Sequence, residues 1–218
     1  GESNMTYDAG YYVPASIGDY VWADLDADGV QDTDEPGIVN AEVILTGTDG
    51  QGNPVSATTY TDASGYYLFD DLVPGSYKLT FVTPTGGYVV TDLDEGGDDA
   101  YDSDADPGNG NMTVFETLVS GENNPNYDAG FYVEAAIGNY VWEDMNANGL
   151  QDQGEPGIEN VEVTLTGTTG SGEPVAATDF TDANGLYLFG GLQPGTYKLT
   201  FGTPGAPYVP TLANDVDD

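Results

Sequence analysis

The chain has 218 residues, 38 of them Asp or Glu against two Lys, with no Arg, His or Cys, and a formal charge of −36. Without His or Cys, ordinary zinc, iron–sulfur and haem ligation, thiol nucleophiles and His-based triads are excluded. Two cations make nucleic acid or an acidic membrane surface a poor partner, and no apolar run approaches the ~20 residues of a membrane span. Hydrophobic content of 39% with 16 Tyr is too rich for an acidic disordered tail. Short alternating runs bounded by Gly, Pro, Asn and Asp predict strands near Ile17–Trp22, Ala41–Thr46, Val55–Thr61, Tyr66–Phe69, Ser76–Phe81, Tyr88–Val90, Met112–Leu118 and Tyr127–Val133. Ala41, Val43 and Leu45 share one face, and Tyr77, Leu79 and Phe81 another, with Lys78 and Thr80 pointing away. Asp62-Ala-Ser-Gly65 and Asp182-Ala-Asn-Gly185 read as hairpin turns with Gly where φ must be positive. So many short strands in about 120 residues predict an all-β chain of immunoglobulin-like β-sandwich modules.

The chain repeats itself. IGDYVWADLDADGVQDTDEPGIVNAEVILTG from Ile17 recurs as IGNYVWEDMNANGLQDQGEPGIENVEVTLTG from Ile137, an offset of 120 residues, which is a domain length rather than a solenoid period. Gly1–Val13 (GESNMTYDAGYYV) matches Gly121–Val133 (GENNPNYDAGFYV). The frame therefore predicts residues 1–13 as the final strand of a preceding module, 14–133 as a complete module, and 134–218 as a second module lacking its last strands. Either the sequence is part of a longer array, or the opening segment is a donor strand that completes another subunit's second module, giving a head-to-tail filament.

Asp24-Leu-Asp26-Ala-Asp28-Gly29-Val30-Gln-Asp32-Thr-Asp-Glu35 fits the twelve-residue calcium loop at every position. Oxygen side chains fall at positions 1, 3, 5, 9 and 12, Gly at 6, and Val30 at position 7 offers its carbonyl. A hard cation wrapped by one short segment needs this spacing, because alternate residues point inward and the turn at position 6 tolerates little but Gly. The second copy has Asp144, Asn146, Asn148, Gly149, Leu150, Asp152 and Glu155, in which Asp→Asn at positions 3 and 5 keeps an oxygen and drops a charge. Pro36-Gly37 and Pro156-Gly157 follow position 12, so no exiting helix is expected and the loop sits on a β scaffold. Further calcium sites are expected from Asp98, Asp99, Asp102, Asp104 and Asp106, with Asp62 or Asp19 contributing from neighbouring loops, because so dense a cluster resists ordering unless neutralised. Asn4-Met-Thr6 and Asn111-Met-Thr113 match glycosylation acceptors.

At these residues the chain resembles the SdrD B-like family, the B-repeat modules of serine–aspartate-repeat surface proteins of Gram-positive bacteria. The family's opening pattern reads here as Ile17, Gly18, Tyr20, Val21, Trp22, Asp24, Asp26, Asp28, Gly29, Gln31, Glu35 and Gly37, and again from Ile137 to Gly157. The T-D-x-x-G-x-Y and L-x-P-G-x-Y elements match at Thr61–Tyr67 and Leu72–Tyr77. The resemblance implies tandem immunoglobulin-like sandwiches of the CnaB/SdrD-B type that bind several Ca2+ ions each, stiffen when they do, and hold a ligand-binding head away from the cell wall. It also implies an extracellular, cell-surface location, with neighbouring modules or subunits as partners. Related modules cross-link through a Lys isopeptide bond. Lys78 and Lys198 lie opposite the Tyr77/Leu79 and Tyr197/Leu199 faces, so a surface ion pair is expected instead.

The expected function is a calcium-stabilised structural stalk rather than an enzyme, since no base–nucleophile pair or cleft-forming insertion stands out. One rival is a glycan- or protein-binding adhesin module using Tyr11, Tyr12, Tyr66 and Tyr101, although most of these read more simply as core or sheet-face residues. The other is a halophilic surface protein whose acidity serves hydration alone.

Overall fold

The computed structural model describes residues 8–93 and 95–211. The first residues of the opening segment, including the Asn4 sequon, and the last seven of the chain lie outside the described residues. The chain divides into two compact units, Gly1–Tyr132 and Val133–Asp218. Apart from one 3-10 turn at Pro107–Asn109, every regular element described is a strand.

The first unit contains β1 (Ala15–Ile17), β2 (Val21–Ala23), β3 (Glu42–Asp49), β4 (Pro54–Tyr60), β5 (Phe69–Leu72), β6 (Gly75–Phe81), β7 (Tyr88–Val90), β8 (Glu116–Leu118), β9 (Asn123–Asn124) and β10 (Ala129–Val133). An antiparallel sheet runs β4-β3-β6-β8, with Leu45 opposite Leu79 and Val43 opposite Phe81. Two further sheets run β5-β1-β9 and β2-β10-β7. The period-2 alternation puts Val43, Leu45, Tyr77, Leu79 and Phe81 on one face, and all five are buried. They join Ile17, Val21, Phe69, Ala129 and Phe131 in one core, so the three sheets close a sandwich around a single apolar interior.

Several predicted elements shift. Ile17–Trp22 is two strands rather than one, interrupted at Gly18, where a Cβ would strike the carbonyl of Tyr67. Tyr66–Phe69 becomes Phe69–Leu72, and Met112–Leu118 shrinks to Glu116–Leu118, leaving Val114 and Phe115 exposed. The Asp62–Gly65 turn has its positive φ at Gly65 (95°), yet it is not a hairpin, since β4 and β5 belong to different sheets. Asp62 instead caps the turn, accepting from Ser64 N at 2.8 Å and Tyr66 N at 3.1 Å. Among the described residues Lys78 makes no ion pair of the expected kind. Its Nζ lies 3.2 Å from Met112 Sδ and 5.4 Å from the Phe115 ring centroid. The Asn111 amide is engaged with Phe81 O and Thr83 Oγ1. Tyr11, Tyr12, Tyr66 and Tyr101, read mostly as core or sheet-face residues, are all at least half exposed.

The closing strands pair in parallel, β9 with β1 and β10 with β2. β10 sits between β2 and β7, and its Gly130 passes so close that a Cβ there would lie 2.6 Å from Thr91 Cγ2 and 2.7 Å from Trp22 Cζ2. Trp22 is fully buried and cannot step aside. Gly130→Val is therefore expected to cost the first unit about 3 kcal/mol or more, read as an earlier denaturant midpoint, while the second unit's transition stays put.

The second unit contains β11 (Ala135–Tyr140), β12 (Glu162–Thr169), β13 (Pro174–Phe180), β14 (Leu186–Leu192) and β15 (Gly195–Phe201). Sheets β13-β12-β15 and β11-β14 repeat the registers of the first unit, with Leu165 opposite Leu199 and Ile137 opposite Phe189. Its core is smaller, built on Val163, Leu165, Tyr187, Phe189 and Leu192.

Candidate metal centre

The loop leaving β2 starts where the strand ends, so Asp24 is rooted in the core and is only 1% exposed. Two left-handed residues coil the segment, Ala27 (φ 58°) and Gly29 (φ 82°), repeated as Ala147 (φ 57°) and Gly149 (φ 77°). This coil directs amides at the first carboxylate: Ala27 N donates to Asp24 Oδ1 (2.6 Å) and Gly29 N to Asp24 Oδ2 (3.0 Å). Thr91, just past β7, donates its hydroxyl to Asp24 Oδ2 at 2.5 Å. Asp28 N reaches Asp26 Oδ1 at 3.3 Å, and Val30 N reaches Asp28 Oδ1 at 2.8 Å. Glu35 folds back across the loop, accepting from Leu25 N (2.6 Å) and Asp32 N (3.0 Å). These bonds occupy both lone pairs of Asp24 Oδ2 and one on each of the other accepting oxygens, Asp24 Oδ1, Asp26 Oδ1, Asp28 Oδ1 and both Glu35 oxygens.

Carboxylate oxygens of Asp24, Asp26 and Asp28 come within 4.8 Å of one another. Burial pushes Glu35 up to about 7 and raises Asp24 and Asp28 above the usual carboxylate range, with neighbouring acids adding to each. Three convergent carboxylates, with Glu35 buried beside them, are oxygen donors of the kind a hard cation takes. Beyond Glu35 no helix follows; Gly37 bridges Trp22 and Ile38 N donates to Val21 O, returning the chain to the sandwich.

The second copy keeps the frame. Gly149 N donates to Asp144 Oδ2 (2.7 Å), and Glu155 accepts from Met145 N (2.9 Å) and Asp152 N (2.9 Å). Asn146 Nδ2 and Asn148 Nδ2 both donate to Asp152 Oδ2, and Leu150 N donates to Asn148 Oδ1. Here Asp144 is held below the usual range, first by the Thr211 hydroxyl at 2.7 Å and then by backbone amides. The two loops differ in electrostatics: the first concentrates buried negative charge, and the second relieves its own with amide donors.

The acidic stretch Asp98–Asp106 divides. Asp98 and Asp106 cap local turns through Ala100 N and Gly108 N, and Asp99 accepts from Asn126 Nδ2. Asp102 is buried and bridges Val30, tying this stretch to the twelve-residue loop. Asp104 Oδ2 accepts from Asp128 N at 2.8 Å, while Asp104 N donates to Asp128 O. Asp128, at the threshold of β10, is absent from the expected ligand set. It is fully buried; its Oδ1 accepts from Tyr20 N at 2.9 Å, and among the described residues its Oδ2 has no hydrogen-bond partner. Burial, with Asp19, Asp104 and Asp102 adding, pushes Asp128 up to about 9, and burial lifts Asp19 to about 6. A lone pair with no donor, surrounded by carboxylates, is what a cation would satisfy. Asp19, Asp102 and Asp104 are the acidic neighbours that raise Asp128, but among the described residues only Asp24, Asp26 and Asp28 bring three carboxylates within 4.8 Å of one another. Asp62 remains on its own turn.

The SdrD B-like domain model matches residues 15–131 and again 135–218. Serine-aspartate repeat-containing protein D of Staphylococcus aureus (strain Newman) is 42% identical over 221 residues, covering 100% of this chain and 16% of that protein. Serine-aspartate repeat-containing protein F of Staphylococcus epidermidis is 41% identical over 218 residues, covering 99% of this chain and 12% of that protein. Among solved structures, the Bacillus anthracis TIE protein aligns at 20% identity with a TM-score of 0.39, over 92% of this chain and 30% of that one. No helix among the described residues is long and apolar enough to cross a membrane. With the match covering nearly the whole chain, it belongs to the SdrD B-like domain family and is an extracellular cell-surface module of tandem immunoglobulin-like sandwiches.

Proposed function

We propose that the chain is a calcium-stabilised stalk or spacer of a larger surface protein, in which Ca2+ ions complete loops that the polypeptide alone leaves repelling. The observation that carries this reading is the convergence of Asp24, Asp26 and Asp28 within 4.8 Å at a buried strand end, in a chain with only two cations. An ion there is held by the β2–β3 connection, whose first carboxylate also accepts the hydroxyl of Thr91 beyond β7. An ion that binds the folded loop and not the unfolded chain stabilises the folded unit by mass action. Millimolar extracellular calcium fills even loops whose dissociation constants run to about 10⁻⁴ M.

The test is calcium content per chain after dialysis, followed by calorimetric titration. Glu35→Gln removes the bidentate closure while keeping an oxygen, and is expected to weaken the first unit's loop roughly tenfold or more. Glu155→Gln is expected to affect only the second unit's loop. Titrations that show no calcium uptake in the unsubstituted chain overturn the proposal.

A further inference from the structure

We propose, resting on the calcium reading, that Thr91 is a positioning residue of the first unit's loop and couples ion occupancy there to the docking of the closing strand β10. Thr91 lies one residue past β7 and outside the twelve-residue loop, yet it is wholly buried. Its hydroxyl donates to Asp24 Oδ2 at 2.5 Å, and its amide donates to Gly130 O at 3.0 Å. Its methyl group packs on Gly130 so closely that a Cβ there would lie 2.6 Å from it. Asp24 N in turn donates to Phe131 O at 3.0 Å. Asp24, Thr91, Gly130 and Phe131 therefore close a hydrogen-bonded circuit drawn from three segments far apart in the sequence.

The hydroxyl decides which oxygen of Asp24 faces the ion. Oδ2 commits both lone pairs, to Gly29 N and to Thr91, so it is Oδ1, accepting from Ala27 N, that keeps one for a cation. A hydroxyl on a carboxylate is a charge-assisted bond of the strong class, and this one pins a side chain that has almost no contact with water. The second copy repeats the device. Thr211 Oγ1 donates to Asp144 Oδ2 at 2.7 Å, beside Gly149 N at 2.7 Å, while Asn148 N reaches Asp144 Oδ1 at 3.1 Å. The threonine follows its aspartate by 67 residues in both copies. Around it the sequence changes, Val90 to Pro210 and Asp92 to Leu212, and two loop positions pass from Asp to Asn, but the threonine stays.

Without an ion the three carboxylates of the loop repel, and a swing of Asp24 away from Asp26 and Asp28 breaks its bond to Thr91. An ion on Oδ1 removes the repulsion and holds the carboxylate against Thr91, whose amide and methyl group hold β10. Ion binding and strand docking are then linked, and each strengthens the other by the same factor. β10 ends at Val133 and β11 begins at Ala135, so the strand held by this circuit is the one that leads into the second unit.

The test combines calorimetric calcium titration with native-state amide exchange of the whole chain in calcium and in EDTA. The amides to follow are Thr91 and Ala129, which donate to Gly130 O and Tyr20 O and so report the docking of β10. In the parent, calcium is expected to slow exchange at both by roughly tenfold or more. Thr91→Val keeps the branched shape and the amide bond but removes the hydroxyl. It is expected to weaken the first loop's calcium affinity roughly tenfold and to abolish the calcium-dependent protection of Ala129. Thr91→Ser, which restores the hydroxyl without the methyl group, is expected to recover both. Thr211→Val is expected to weaken only the second loop. A Thr91→Val chain that binds calcium as tightly as its parent, or that loses equal stability in calcium and in EDTA, overturns the coupling and leaves the calcium reading standing. So does a Thr91→Ser chain that recovers neither property. A parent chain that takes up no calcium overturns both.

Discussion

Chelation with excess EDTA is expected to lower the melting temperature of the first unit by roughly 10 °C, and that of the second by much less. A site filled at a hundredfold excess over its dissociation constant contributes about 2.7 kcal/mol, and the proposed loop of the first unit is one such site. At about 4 °C per kcal/mol for a unit of this size, that gives the expected drop. The second unit has one loop, with Asn146 and Asn148 in place of two Asp, and Asn139 where the first unit has Asp19. Fewer charges bring less apo repulsion to relieve and less affinity to lose. Two separating transitions in EDTA, merging as calcium is restored, are the pattern to look for by calorimetry. Replacing calcium with molar NaCl tests the salt-adaptation rival. Monovalent ions screen surface charge but do not fill a buried oxygen shell, so salt alone is expected to recover only part of the loss. An unchanged melt in EDTA would sink the calcium reading.

What the sequence disclosed tracks how local each feature is. The twelve-residue loop was readable because Asp24 to Glu35 is one continuous segment, so spacing alone reports which side chains converge. The inward faces of β3 and β6 were readable for the same reason, since alternation is a property of neighbours. Asp128 escaped notice because its environment comes from Tyr20, Asp19 and Asp104, brought together only by parallel pairing of β10 with β2. Parallel pairing leaves no short-range mark in a sequence, unlike a hairpin turn. One signal was present: DAG precedes an aromatic residue at both Asp8 and Asp128, an acid kept in frame across the 120-residue offset with no cation nearby. The same non-locality explains Asp62 and Asp182. Their turns are sharp enough to read as hairpins, but only the tertiary fold sends the following strand into another sheet.

The second large effect is an inversion of pH dependence by metal. In EDTA, stability of the first unit is expected to fall as pH rises from 5 to 8.5. Asp19, Glu35 and Asp128 are raised to about 6, 7 and 9, chiefly by burial, against about 4 for the unfolded chain. The folded state therefore binds more protons, so their contribution is fully present below the unfolded value and is lost as pH climbs through 6 to 9. The acidity of the chain works in the same direction, since a charge of −36 repels itself more as carboxylates ionise. In calcium the slope is expected to reverse over the same window, because protons compete with the ion for the same oxygens. The two curves should differ by roughly 10 °C or more at pH 8.5 and converge toward pH 5. Asp128→Asn separates the contributions. Its amide oxygen still accepts from Tyr20 N, while the charge that burial penalises is gone. The variant is expected to be more stable than the parent in EDTA at pH 8.5, with a flatter pH profile, and less stable than the parent in calcium. An Asp128→Asn chain that melts below its parent in both conditions would mean that this carboxylate is a structural hydrogen-bonding group and not a ligand.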